Sequence, residues 1–234
     1  METILKNEAS KLNINLTDDM IKNFLIYKDV LKEWNNKINL TAITEDYDII
    51  MKHFIDSLTI EKYIPKNARI IDVGTGAGFP GIPIKIVRSD IEVVLLDSLN
   101  KRINFLNEVI EVCNLQGIVA VHGRAEDMAQ KPEYREKFDI STARAVANIA
   151  TLSEYCCPFV KLGGSFICMK ADADEEIENA AKAITTFGMK MQEIEKLKLE
   201  KIDANRTIII YKKEKNTPKL YPRKAGIPSK NPII

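Results

Sequence analysis

The stretch DVGTGAGFPGIP, residues 72–83, sets Gly74, Gly76, Gly78 and Gly81 directly behind the apolar run RIIDV. Glycines this dense let a chain turn sharply and bring its N–H groups against a small ligand, as in the first strand-to-helix loop of a nucleotide-binding sheet. Two registers overlap: GxGxG from Gly74 and GxGxxG from Gly76. Asp97 closes the next apolar run, VVLLD, about twenty residues on, where a carboxylate accepts hydrogen bonds from ribose hydroxyls. After a third run, IVAVH, the segment HGRAED offers the Ala125 main chain and the Glu126 side chain to an adenine edge. Taken alone, Glu126 would be an ordinary surface acid; behind a glycine loop and Asp97 it belongs to a ligand site.

The neighbours of the glycines choose between ligands. A pyrophosphate needs main-chain donors at the helix start, and Pro80 has none there. Phe79 presents an apolar wall instead, and Asp72 adds negative potential that opposes a diphosphate and suits a cation. S-adenosylmethionine (AdoMet), a phosphate-free sulfonium with an ammonium group, fits this loop better than a dinucleotide. An NAD(P)-binding Rossmann protein, which the second glycine register permits, is the weaker alternative. Arg144 ends FDISTAR at the same edge, and its guanidinium could hold the cofactor region, stack on a base or bind a phosphate. Arg124 is a second cation for an RNA backbone, and Lys170 could reach the same cleft.

Positioning these residues requires strands that alternate with helices from Ala68 onward: ARIIDVG, IEVVLLD, IVAVHG, KFDISTAR and SFICMKA as strands, with SLNKRINFLNEVIEVCNL a helix capped by Ser98. This order predicts an α/β fold, a doubly wound, mainly parallel Rossmann-like methyltransferase sheet. RTIIIYKK follows no long crossover helix, so an antiparallel edge hairpin is expected there. Residues 1–66 read as a helical extension packed on the core, 67–213 as the AdoMet-binding domain, and 214–234, rich in proline, as an extended tail. In the extension, Thr17 caps a helix carrying Phe24 and Leu31, and a second helix near 47–63 carries His53, Phe54 and Asp56. His53 is expected to be a packed, hydrogen-bonded residue and Trp34 a helix-core residue.

Apolar residues make up 45% and charged residues 29% of 234, the balance of an ordinary globular chain, and the aliphatic runs are too short to span a membrane. A cytoplasmic protein without membrane contact is expected. Cys113, Cys156, Cys157 and Cys168 form no CxxC, and with only His53 and His122 no metal site is expected. From Tyr211 on, seven basic residues face one acid, Glu214: net +6, leaving −5 on the first 210 residues of a chain whose total is +1. A basic tail on an acidic body indicates a polyanionic partner, with Lys212, Lys213, Arg223, Lys224 and Lys230 as candidate phosphate contacts.

The segments WNNKINLTAI, KHFIDSL, DVGTGAGFPGIP, HGRAED, ARAVA and YPRKAGIPSKNPI together resemble the bacterial ribosomal small-subunit methyltransferase G family, also called glucose-inhibited division protein B. The resemblance runs from about residue 20 to the C-terminus; Lys170 is followed by Ala171 where that family usually has glycine. It implies AdoMet-dependent methylation of guanine N7 in 16S rRNA, at conventional position 527, with Gly74, Phe79, Ala125, Glu126 and Arg144 as cofactor contacts; the expected partner is 16S rRNA or the small subunit, and a monomer is expected. Guanine N7 already has an in-plane lone pair and loses no proton on attack, so positioning suffices and no general base is needed. Exocyclic-amine methyltransferases resemble one another in an (Asp/Asn)-Pro-Pro-aromatic loop, and STARAVAN has no proline. Methylation of a pyrimidine carbon needs a cysteine nucleophile, and CCP has no neighbouring histidine. An AdoMet enzyme acting on a small molecule or protein remains the other reading, with the basic tail then incidental.

Overall fold

The computed structural model describes residues 1–144 and 147–234; Ala145 and Val146, inside the ARAVA segment, lie outside the described residues. Seven strands form one sheet in the order β3-β2-β1-β4-β5-β7-β6. The five strands β1 (Arg69–Val73), β2 (Glu92–Asp97), β3 (Ile118–His122), β4 (Phe138–Arg144) and β5 (Val160–Lys170) run parallel. β7 (Ala204–Lys213) lies antiparallel between β5 and β6 (Met189–Leu199). The chain winds outward from β1 to β3, returns to β4 beside β1, and winds the other way. Strand order therefore reverses between β1 and β4, and their carboxyl ends open a crevice there.

β6 and β7 form the expected edge hairpin, but the residues of β6 do not stand out in the sequence. Its MKMQEIEKLKL run is almost wholly exposed, because an edge strand with both faces near solvent lacks an apolar stripe to betray it.

Alternate residues of the buried strands feed two cores, one on each face. Ile70, Val93, Leu95, Ile140 and Ile208 join one cluster; Ile71, Val94, Leu96, Phe166 and Ile209 join the other. Helices α1 (Glu2–Lys11) and α2 (Asp18–Asn35) have no separate core: Leu5, Phe24, Tyr27 and Leu31 are fully buried in the first cluster. α2 starts where Thr17 Oγ1 accepts the Met20 N–H at 3.2 Å. The second helical segment begins as α3 (Asp46–Ile49), widens into a π-helical turn over Ile50–Ile55, and ends as α4 (Asp56–Leu58). Phe54 from this segment meets Phe24 at 5.1 Å and Tyr27 at 5.2 Å between ring centroids. Each such fully buried ring stabilises by roughly 1.5–3 kcal/mol, so the extension is fixed to the sheet's first face.

Behind β1 the glycine loop leads into α5 (Gly81–Val87). Gly78 has φ +94, and a Cβ there would lie 2.5 Å from Ile82 Cδ1 and 2.8 Å from Tyr27 Oη, so no other residue fits without moving the helix or the extension. α6 (Asn100–Val112) follows β2 and α7 (Ala125–Met128) follows β3. Ser98 does not cap α6; the Asp97 carboxylate accepts the Leu99 N–H at 2.9 Å instead. α8 (Ile149–Cys156), α9 (Asp174–Asn179) and α10 (Ala181–Thr186) cover the other face.

The tail is not an extended appendage. Arg135 donates to the carbonyls of Thr217 (2.8 Å), Pro218 (3.2 Å) and Tyr221 (2.8 Å), Thr217 and Pro228 are buried, and the chain ends in a short helix, α11 (Ile227–Lys230). Proline leaves carbonyls without a regular ladder, and one guanidinium supplies the donors they lack.

Hydrogen bonds to a charged donor contribute about 1.5–3 kcal/mol each. Arg135→Ala should therefore make residues 214–226 at least about tenfold more sensitive to limited proteolysis while the 1–213 body stays intact. An equal cleavage rate in both proteins would mean that the tail is held by something else.

Candidate functional site

The β1–β4 crevice holds two cavities. The first, about 300 Å³, lies over the ends of β1, β2 and β3 and is lined by Gly74, Asp97, Arg124, Ala125, Glu126 and Ser229, among others. The second, about 460 Å³, lies over β4, β5 and β7 and is lined by Lys52, His53, Asp56, Arg144, Lys170 and Arg206, among others.

Asp97 organises the first cavity. It is 2% exposed; Oδ2 accepts the Gly76 N–H at 2.9 Å and an Arg102 N–H at 3.2 Å. A carboxylate has about four acceptor sites, so Asp97 can pin the glycine loop and still receive hydroxyl donors. Below the loop Asp72 is fully buried; its Oδ2 accepts the Thr75 hydroxyl (2.7 Å) and the Gly81 N–H (2.9 Å), while Oδ1 has no partner among the described residues. Burial raises its carboxyl to about 6, against the opposing pull of those two donors. A half-satisfied buried acid beside a ligand loop gains from a neighbouring cation and loses from a diphosphate. The donor set therefore fits a sulfonium cofactor.

Arg144 organises the second cavity. One of its nitrogens donates to Asp56 Oδ2 (2.7 Å) and to the Lys52 carbonyl (3.1 Å); the other stands 3.0 Å from His53 Nδ1. Its guanidinium carbon lies 4.8 Å from the Phe79 centroid, and the His53 ring stacks on Phe79 at 4.4 Å. Arginine can only donate, so His53 Nδ1 accepts, and Nε2 carries the proton and donates to Thr41 Oγ1 at 2.8 Å. Burial and the Arg144 charge push His53 down to about 3. A histidine held neutral with both nitrogens occupied is a positioning group. Arg206 closes the set, its Nε donating to Asp56 Oδ1 at 2.6 Å.

The thiols are out of play for a related reason: burial pushes Cys157 and Cys168 up to about 12 and Cys113 to about 11. A nucleophilic thiolate is not available at neutral pH.

Of the expected cofactor contacts, Gly74, Asp97, Ala125 and Glu126 line the first cavity and Gly76 is tied to Asp97, while Gly78 and Phe79 are buried beneath the loop and Arg144 lines the second cavity. Phe79 is only 5% exposed, so its ring is a platform for His53 and Arg144 before it is a wall for a ligand. Arg124 lines the first cavity, apart from Arg144. Lys170 donates to the Ala147 carbonyl at 2.7 Å and pairs with Glu176 at 2.8 Å. Arg206, absent from the sequence reading as a site residue, lies near the start of β7, where that strand returns to the crevice; one arginine in a strand carries no local signal of a contact 150 residues away.

The tail lysines divide. Lys213 is buried, its ammonium bonded to the Cys157 carbonyl (2.8 Å) and to Thr217 Oγ1, so it cannot be the expected phosphate contact. Lys212 pairs with Ser165 in the middle of β5, and Thr207 with Lys170 at its end. Lys212 thus sits about 17 Å along the strand from the crevice, away from the other groups gathered there. Arg223 is committed to the buried Glu154 at 2.7 Å. Lys224 and Lys230 are exposed beside the first cavity.

The sheet order, the crevice at its switch point and the acid-lined cofactor cleft define the class: an AdoMet-dependent methyltransferase of Rossmann-like fold. Solved structures share this fold at low identity. A SAM-dependent methyltransferase from Aquifex aeolicus aligns with TM-score 0.53 and 13% identity over 76% of this chain and 97% of that one. M. jannaschii TYW2 in complex with AdoMet aligns at 0.55 and 15%, over 74% and 79%. The family model for rRNA small subunit methyltransferase G (GidB) matches residues 20–209, and the chain belongs to that family. Among its relatives are the ribosomal RNA small subunit methyltransferases G of Acetivibrio thermocellus, 55% identical over 100% of this chain and 97% of that protein, and of Desulforamulus reducens, 53% over 98% and 97%. Among the described residues no helix is long and apolar enough to cross a membrane.

With its carboxyl near 6 in the free protein, Asp72 is protonated as pH falls below that value. A cation favours the carboxylate form, so cofactor binding must then expel a proton. AdoMet affinity measured by calorimetry should weaken about tenfold from pH 7 to pH 5, and Asp72→Asn should flatten that slope. A pH-independent affinity in the native protein would disconnect Asp72 from the cofactor.

Proposed function

We propose that this protein transfers the AdoMet methyl group to N7 of a guanine in 16S rRNA, conventional position 527, acting as a cytoplasmic monomer on the rRNA or the small subunit. One observation carries the reading: a cleft bearing Asp97 and Glu126, with buried Asp72 beneath its loop, adjoins a cavity where Lys52, Arg144, Lys170 and Arg206 outnumber Asp56, Asp172 and Glu176. Near full-length identity above 50% to proteins named for this activity supports the RNA substrate over a small molecule or protein. Asp72 and Pro80 weigh against NAD(P).

AdoMet supplies an electrophilic methyl on a sulfonium. The chain's task is alignment, which accounts for large rate effects when the reacting atoms are held in line. The main chain at Gly74, Gly76 and Gly78 shapes the cleft, Asp97 accepts ribose hydroxyls, and Ala125 and Glu126 take the adenine side. Arg144, fixed on three sides, meets the guanine or its phosphate. Inside an RNA helix N7 faces a deep, narrow groove, so an unpaired or flipped base is the accessible form. Lys224, Lys230, Lys52 and Arg206 surround the approach. Neutral His53 orients Arg144 and takes no proton.

Labelled AdoMet and ribosomal RNA from cells lacking this protein test the reading. Label should enter 16S rRNA, and borohydride with aniline should cut it at one guanine. Arg144→Ala should lower the single-turnover rate by roughly a hundredfold. That rate should stay flat between about pH 6.5 and 8.5, since no group at the nucleophile loses a proton. Absence of label from both free RNA and subunits, or a bell-shaped profile in that window, would sink it.

A further inference from the structure

The C-terminal segment does more than dock. Gly226 and Ser229 line the 300 Å³ cavity opposite Gly74, Asp97 and Ala125. The Gly226 N–H donates to Glu126 Oε1 at 3.0 Å, across a hundred residues of sequence, and Glu126 is 8% exposed. Glu126 Oε2 has no partner among the described residues.

The turn that presents this N–H is anchored on both sides. Before it, the Arg223 side chain makes three contacts to the Glu154 carboxylate (2.7–3.1 Å), and the Arg223 N–H adds a fourth at 2.7 Å. After it, buried Pro228 gives its carbonyl to the Thr151 hydroxyl at 3.2 Å. Both anchors are on α8, so the turn is referenced to the rigid body of the protein. Gly226 itself has φ +81, and a Cβ there would meet nothing within 4 Å. Strain, not crowding, is what excludes a branched side chain.

We propose that the Gly226 turn is a fourth wall of the cofactor site, and that its N–H is the positioning group for Glu126. One carboxylate oxygen is held by the tail, which aims the other at hydrogen-bond donors of the adenosine moiety. This rests on the reading of Glu126 as a cofactor contact. The tail is then part of the AdoMet site even where no RNA is present.

The test is calorimetry of AdoMet with the full chain and no RNA, alongside KM for AdoMet and kcat on rRNA. Gly226→Val, strained at this φ, should raise the AdoMet Kd and KM five- to tenfold and leave kcat at saturation within twofold. Gly226→Asn, which tolerates a left-handed φ, should recover the affinity to within twofold of the native value. Glu126→Ala should weaken binding at least tenfold, and the Glu126→Ala/Gly226→Val pair should be no weaker than Glu126→Ala alone. A merely structural turn would lower melting temperature and kcat together and add to Glu126→Ala. Native affinity in Gly226→Val with loss in Glu126→Ala would overturn the inference and leave the Glu126 reading standing. Native affinity in Glu126→Ala would overturn both.

Discussion

The Arg144 guanidinium ties the two halves of the chemistry to the two halves of the chain. It leaves the end of β4, lies against Phe79 from the glycine loop, and is gripped by Asp56, His53 and the Lys52 carbonyl from the N-terminal extension. Asp56 is 2% exposed and carries two guanidiniums, Arg144 and Arg206, on its separate oxygens. A buried carboxylate stripped of one such partner costs about 3–5 kcal/mol, so the extension, β4 and β7 must dock together or not at all. The π-helical turn over Ile50–Ile55 belongs to the same constraint. Within that turn, Lys52 presents its carbonyl to Arg144 at 3.1 Å. The helices of the extension thus complete the site by reaching it, as well as by covering the sheet.

Charge is sorted along the crevice. Asp72, Asp97 and Glu126 lie under or beside the cofactor cleft, with Arg124 at its edge, and Lys52, Arg144, Lys170 and Arg206 line the other cavity together with Asp56, Asp172 and Glu176. The separation is maintained by internal pairing: Asp56 moderates two arginines, and Glu176 holds Lys170. A cation and a polyanion can therefore be drawn to adjacent places without either site neutralising the other. Transfer between them then needs alignment, because the buried thiols stay protonated and His53 has both ring nitrogens occupied.

What the sequence revealed was whatever is encoded locally. β1 to β5 stand out because buried parallel strands are nearly continuous apolar runs, and Gly74 to Gly81 stand out because a tight turn against a helix tolerates little else. Thr17 is legible as a cap for the same reason. Arg206 and Glu126's partner are invisible because each meets its contact across at least a hundred residues. β6 hides behind its lysines and glutamates, which are the ordinary protection of a sheet edge. His53 was legible as a packed residue, but its tautomer depends on Arg144, a fact no spacing rule contains.

The tail shows where charge counting misleads. Its +6 treats every lysine and arginine as free to meet a phosphate. Lys213 instead spends its charge inside the protein, where burial lowers its pKa, and Arg223 neutralises Glu154 beneath α8. Lys212 stands along the strand, away from the crevice. What remains near the crevice is Lys224 and Lys230, on either side of a glycine turn that also touches the cofactor cleft. The buried cations are there to fasten the turn, and the exposed pair is where an RNA backbone would first find it. Net charge is a property of composition; a binding surface is a property of which charges the fold leaves unspent.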